Sequence, residues 1–438
     1  MESHLIYGIT LALMLIIFLP YWIKFRRKQR EDIERRKEAE MLGVIKPLAQ
    51  FPMINQSLCI GCGACIRACP EGDVLGIVYG KAAIINGVRC IGHGLCEAAC
   101  PVMALKVGLG DVTTRDDIPI LDDDYQSNIP GVYVVGELGG ISLIRNAISQ
   151  GREAVERIPE ERLGGVDPHF RDLVIVGAGP AGLSASLTAI ERDLSYVLLD
   201  QQEAGGTILQ YPRQKLVMTQ KVDVPLYGRL RKSEYSKEEL LEIWEDIFQR
   251  YGINFQSGHR INQITPVQGG FQVFSANGSF LGRNVILALG RRGSPRKLGV
   301  PGEDKEKVAY QLVDAQSYNE KHILVVGGGD SAVEAAIGLG KQMGNKVSVS
   351  YRKPRFFRIK KKNEERVGKL IKQGRISPIW SSQVVEIRDK TVLLNTDHGL
   401  EEIPNDYVFI FAGGIPPFGF MREMGIEFGG EARQVAAG

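Results

Sequence analysis

Hydrophobic and polar positions divide the chain into stretches of different character. From Leu5 to Ile23 no residue carries a formal charge, a run just long enough to predict a helix crossing a membrane. Tyr21 and Trp22 fall where an interfacial belt would sit. MESH offers no basic n-region and no small-residue cleavage site follows, so the pattern reads as an anchor and not as a cleaved signal peptide. Lys24, Arg26, Arg27, Lys28 and Arg30 follow at once. The positive-inside rule then predicts a single-pass protein of the cell inner membrane with the bulk of the chain on the cytoplasmic side. KFRRKQREDIERRKEAE is charged with mixed sign and predicts a solvated helical stalk, with anionic membrane lipid as a neighbour of its first turns. Beyond residue 170 the pattern changes again. Short apolar strands (DLVIV, YVLLD, HILVV, KVSVS) alternate with helices rich in small residues, and this predicts an α/β body.

Composition narrows the classes. At roughly 150 residues per domain, 438 residues favour about three domains. Charged residues at 24% and hydrophobic residues at 44% exclude a disordered chain, a collagen or a many-span membrane protein. A net charge of +3 is too small to indicate a nucleic-acid partner.

All seven cysteines lie between Cys59 and Cys100, at short repeated spacings that indicate metal ligation in a reducing compartment more than a disulfide framework. Cys59, Cys62, Cys65 and Cys69 followed by Pro70 form C-x2-C-x2-C-x3-C-P, in which three thiolates hold one [4Fe–4S] cluster and the fourth holds its neighbour. Gly61 and Gly63 let such a loop wrap closely. A structural zinc site would call for two separated pairs. Cys90, His93, Cys96, Cys100 and Pro101 repeat the spacing with His93 in the second position. The crossing pattern assigns Cys59, Cys62, Cys65 and Cys100 to one cluster, and Cys69, Cys90 and Cys96 to the other. His93 is then either the eighth ligand or a filler beside a three-iron cluster or one with a non-protein ligand. Apart from that histidine, the segment resembles the two-cluster bacterial ferredoxins.

Gly177, Gly179 and Gly182 follow the strand DLVIV and open a helix, and Asp200 ends the next strand. This is the dinucleotide fingerprint in its required context: a tight turn, close backbone approach to the pyrophosphate, close helix–strand packing, and an acid for the ribose hydroxyls. Gly327, Gly329 and Ala332 repeat it, but the second strand ends in bases, Arg352 and Lys353, with Arg355 and Arg358 behind them. Bases suit a 2′-phosphate, so NADPH is favoured, with NADH as the alternative. The same run, continued by Lys360 to Lys362, also reads as a solvated face or a docking patch for an acidic partner.

Two such folds in tandem, with GGTI after the first acid (Gly206, Thr207), VILALGRRG between them (Gly290) and VFIFAGG closing the second (Gly413), resemble the thioredoxin-reductase-like flavoproteins and, more loosely, bacillithiol-disulfide reductases. The resemblance implies FAD in the first fold, NADPH in the second, and cofactor contacts at those four residues. Members with a redox cysteine pair carry it in the pyridine-nucleotide domain. Here no cysteine follows Cys100, so a dithiol relay is ruled out. The segment that closes over the flavin comes last in those relatives, whereas SNIPGVYVVGELGGISLIRNAISQGREAVERI precedes the first fingerprint here. It is similar to that segment with Gly136 and Glu137 in place of Gly-Asp, which predicts a circular permutation. Glu137 would reach the flavin ribityl chain, and the amides from Gly139 to Ser142 would face the pyrimidine end of the ring.

The expected fold class is α/β: two Rossmann-like dinucleotide-binding domains, a small α+β two-cluster ferredoxin domain and one N-terminal transmembrane helix. The expected boundaries are a span at 5–23, a stalk at 24–50, the ferredoxin domain at 51–110 and the permuted segment at 111–160. The FAD domain at 171–300, the NAD(P)H domain at 301–415 and a tail at 416–438 complete the chain. The expected activity is NAD(P)H oxidoreduction through FAD and two clusters, with a redox protein or quinone as partner and a homodimer allowed. No side-chain acid, base or nucleophile is expected, because the cofactors carry the chemistry. Direct reduction of a small disulfide and an iron–sulfur sensor are the alternatives.

Overall fold

The computed structural model describes residues 2–430 apart from 42, 44–49, 111, 113–114, 142, 165–166, 214–215, 219–220 and 233. The chain parts into two compact units, Met1–Gly110 and Asp111–Gly438.

The first unit begins with α1 (Glu2–Met41), which runs unbroken through Pro20. Among the described residues no helix is long and apolar enough to cross a membrane. The span expected at 5–23 and the inner-membrane location are thereby corrected. The same helix continues without a break from the uncharged run into charged sequence.

That charged half is not a freely solvated stalk. Asp32 is 1% exposed, and its carboxylate accepts the Ile77 N–H at 2.9 Å and pairs with Lys28 at 3.2 Å. Ile33 packs on Val78, Ala83 and Ile85, and Arg35 meets Asp73 at 2.6 Å. Gly76 makes the approach feasible, since a Cβ there would stand 2.7 Å from the Asp32 carboxylate.

Four strands follow: β1 (Phe51–Ile54), β2 (Leu75–Val78), β3 (Lys81–Ile84) and β4 (Leu105–Gly108). They pair antiparallel as β1 with β4 and β2 with β3. Two short helices, α2 (Ala64–Ala68) and α3 (Leu95–Ala98), start from left-handed glycines, Gly63 and Gly94.

In the second unit, β5 (Val132–Val134) and α4 (Ile144–Glu156) come first. Then follow β6 (Arg171–Val176), α5 (Pro180–Glu191), β7 (Tyr196–Leu199) and α6 (Lys237–Tyr251). Strands β8 (Phe255–Gln256), β9 (Ile261–Val267), β10 (Gly270–Ser275) and β11 (Gly278–Leu287) complete a sheet of order β8-β7-β6-β11-β10-β9. β6 and β7 are buried on both faces, as parallel strands between helices must be, which is why they read as continuous apolar runs. The start of β11 pairs antiparallel with β10. Its end pairs parallel with β6 and with β5, in register Val285↔Val132 to Leu287↔Val134.

Gly414–Ile415 pairs antiparallel with Ser294–Pro295, joining the strands that leave and re-enter this fold. Between them stands a second parallel sheet. It is built from β12 (Val308–Ala309), β13 (His322–Val326), β14 (Lys346–Tyr351), β15 (Ile376–Trp380) and β16 (Tyr407–Ile410), in the order β12-β16-β13-β14-β15. α7 (Asp330–Gly340) and α8 (Lys361–Lys372) accompany it.

The described part of the expected tail is core. Met421, Ile426 and Phe428 are buried against Val132, Val134 and Leu138, and the Ile120 N–H donates to the Glu427 carbonyl at 2.9 Å. Residues 431–438 lie outside the described residues.

Candidate functional site

In the first unit the eight cysteine-run residues divide four and four. Cys59, Cys62, Cys65 and Cys100 line one hollow with Ile54, Ala82 and Val102. Cys69, Cys90, His93 and Cys96 line another with Glu71, Val74 and Leu75. Each run therefore gives three positions to one hollow and its last cysteine to the other, as the crossing pattern requires. Among the described residues no three His, Cys, Asp or Glu side chains converge on a single ion position. The donors instead stand around the rim of each hollow, a placement that suits a polynuclear cluster.

Backbone amides reach the sulfurs of the first hollow. Ala82 N–H lies 3.4 Å from Cys59 Sγ and Ala104 N–H lies 3.2 Å from Cys100 Sγ. Burial pushes the thiols of Cys65, Cys69 and Cys90 up, and it pushes Cys96 up to about 11, with Cys69 and Cys90 adding to the effect. Such thiols become thiolates when a cationic centre compensates the burial, and the donor set thus fits iron.

His93 is 8% exposed, and its Nε2 lies 3.1 Å from Oε1 of Glu71, which is 6% exposed. The sequence reading missed Glu71. Its signal was an acid directly after Cys69-Pro70.

In the second unit the two glycine turns recur in detail. Gly177 has φ 112, and a Cβ there would stand 2.3 Å from the Ala288 carbonyl. One at Gly182 would stand 1.8 Å from the Gly177 carbonyl, whereas Gly179 faces open space. Gly206 sits against Gly179, with Thr207 half-buried in the same short turn. Asp200 Oδ2 accepts the Ala178 N–H at 2.7 Å and Oδ1 accepts the Gln202 N–H at 2.9 Å. Burial pushes its carboxyl up and those amides pull it back. The acid therefore braces the turn as well as offering its remaining lone pairs to a ribose.

Gly327 has φ 138, and a Cβ there would stand 2.5 Å from the Phe411 carbonyl, while Gly329 is open. Arg352 is exposed and Lys353 half-buried just past β14. Gly290 and Gly413 both have positive φ beside open space.

The early segment joins the first of these turns. The Gly136 N–H donates to Gln150 at 2.7 Å, and a Cβ at Gly136 would lie 3.3 Å from that of Ala181. At Gly151 a Cβ would stand 2.1 Å from the Ala181 carbonyl, so α4 crosses α5 in close contact. Glu137 is open to solvent on one side and crowded on the others. The crowding pushes its carboxyl up against the pull of Arg291.

Tyr211, pushed up to about 12 by burial, feels the charges of Glu137, Arg292 and Glu334. The sequence reading missed Tyr211, Arg291 and Arg292. Arg291 pairs with Asp117, which burial alone would raise but which Arg115 and Arg291 hold below the ordinary range. Ser142 lies outside the described residues.

A family model for pyridine nucleotide-disulphide oxidoreductases matches residues 174–436. The chain belongs to that family. A second model, for a 4Fe-4S dicluster domain, matches residues 51–101. The protein is accordingly a flavin- and iron–sulfur-dependent NAD(P)H oxidoreductase. It is 25% identical to a ferredoxin–NADP reductase of Ignicoccus hospitalis over 270 residues, 60% of this chain and 83% of that one. It is 25% identical to the bacilliredoxin reductase Bdr of Bacillus subtilis over 260 residues, 58% and 80% of the two chains. A solved bacillithiol disulfide reductase from Bacillus cereus superposes with a TM-score of 0.54 at 24% identity, over 59% of this chain and 82% of that one, and shares the fold.

Proposed function

We propose that this oxidoreductase moves electrons between NADPH, FAD and two [4Fe–4S] clusters and exchanges them with a redox protein or a quinone. The observation that carries the reading is the division of the eight cysteine-run residues between two hollows in a chain that also holds two dinucleotide turns. When bound, FAD accepts a hydride from NADPH and releases electrons one at a time, which is the conversion the clusters need.

The chain's own residues bind and orient. The Gly177–Gly182 turn and the start of α5 hold a pyrophosphate, and Asp200 holds a ribose. Arg352 and Lys353 meet a 2′-phosphate. With no cysteine after Cys100, nothing in the second unit offers a disulfide relay, so electrons leave by single steps.

Segment 111–160 is, in this reading, the family's closing segment moved ahead of the fold it closes. Three observations support it: β5 pairs with β11, Gly136 abuts Ala181, and residues 425–428 bind 119–128 as a hairpin cut open would. Glu137 then stands where a ribityl hydroxyl would be held.

The test is anaerobic purification followed by NADPH titration under electron paramagnetic resonance. Bound FAD, about eight irons per chain and cluster signals that grow with added NADPH are expected. A preparation carrying zinc and no iron–sulfur absorption, even after anaerobic reconstitution, would end the reading.

A further inference from the structure

We infer that Glu71 positions His93 so that Nδ1, and not Nε2, is the nitrogen that binds iron in the second hollow; the inference rests on the two-cluster reading above. His93 occupies the ligand position between Cys90 and Cys96, and it lines the same hollow as those two cysteines and Cys69. Its Nε2 is taken by the Glu71 carboxylate at 3.1 Å, and both side chains are nine-tenths buried. A neutral imidazole that donates from Nε2 carries its lone pair on Nδ1, so the partner on one nitrogen decides which nitrogen is left to a metal. Metal-bound histidines commonly have such a carboxylate behind them.

The turn that carries His93 is also fixed. Gly92 and Gly94 hold φ 76 and 78. The buried Gln50 amide donates to the Gly92 carbonyl at 2.7 Å, so closely that a Cβ on Gly92 would overlap it. Glu71 itself comes from the other cysteine run, two residues after Cys69. One hydrogen bond therefore ties the ligand that crosses over to the histidine that departs from the repeat.

The experiment is pulsed paramagnetic resonance on reduced full-length protein, with histidine 15N-labelled at Nδ1 alone or at Nε2 alone. Strong nitrogen coupling from the Nδ1 label and much weaker coupling from the Nε2 label are expected. Glu71→Gln should keep this pattern, because its amide oxygen still accepts the Nε2 proton. Glu71→Ala should lose it or split it, with several-fold more three-iron signal in the oxidised protein. In a His93→Cys background, Glu71→Ala should leave iron content and three-iron signal as they were.

Strong Nε2 coupling, absence of nitrogen coupling with about eight irons present, or a Glu71→Ala variant with unaltered coupling would each overturn the inference. About four irons per chain after reconstitution would instead bring down the two-cluster reading, and this inference with it.

Discussion

At Gly177 an added Cβ would stand 2.3 Å from the Ala288 carbonyl, and at Gly327 it would stand 2.5 Å from the Phe411 carbonyl. The middle glycine of each turn, Gly179 or Gly329, faces open space. To this point the two nucleotide folds are built alike, because a strand that turns sharply into a helix beside a neighbouring strand allows few backbone paths. They part at the third position. Gly182 would collide with its own turn if it carried a Cβ, whereas the second fold accommodates Ala332. They part again at the end of the second strand, where Asp200 is drawn back onto the first turn while Arg352 stands exposed. Turn geometry is thus shared, and the two folds differ at the third turn position and at the strand ends.

The largest expected effect separates the third positions. Gly182→Val should abolish flavin binding and destabilise the second unit by about 3 kcal/mol or more, since the Gly177 backbone, which cannot give way as a side chain can, stands in its way. Ala332→Gly should retain both nucleotides. Flavin absorbance and thermal unfolding check the pair, and equal tolerance at both positions would break the comparison.

Next comes Gly327→Val, which should keep bound FAD while NADPH no longer reduces it, as stopped-flow flavin bleaching will report. Flavin loss from this variant would mean that the two folds are not independent sites.

Arg352→Ala should raise the KM for NADPH by about tenfold or more and leave that for NADH nearly as it was, because a charge-assisted phosphate bond contributes about 1.5–3 kcal/mol. Equal losses for both cofactors would assign the base another role.

The smallest effect is expected from a chain in which residues 111–160 are moved to follow residue 430. Flavin content should be unchanged, and a marked loss would argue against the permuted origin of that segment.

Much of this was legible before any coordinates. Glycine turns announce themselves, since each glycine answers a steric demand, and the cysteine spacing already implied a four-and-four division. Other features left no periodic trace. One buried carboxylate, Asp32, docks a charged helix on β2, yet its surroundings in sequence are those of a solvated stalk. Glu71 acquires meaning only from the histidine it meets across the other run. The uncharged run at 5–23 matched a span in length and in its flanking residues, yet among the described residues no helix is long and apolar enough to be one. Tyr211 and Arg292 come within electrostatic reach of each other from loops far apart in sequence, which no local pattern records.

The pairing of β5 with β11 also sets a timetable for synthesis. The cysteine runs end well before β5, so the first unit can leave the ribosome and take up iron before the second unit has a sheet. Val132–Val134 is made early, but its partner strand is complete only at Leu287. At ~5–20 residues per second the wait is roughly 8–30 s. Throughout it the strand, whose other edge bonds to residues 125–129, leaves one apolar edge available to a neighbouring nascent chain. Residues 132–134 are therefore a segment that a chaperone would shield, and expression at a rate that crowds ribosomes on the message should lower the yield of flavin-loaded protein before it affects the iron-loaded unit.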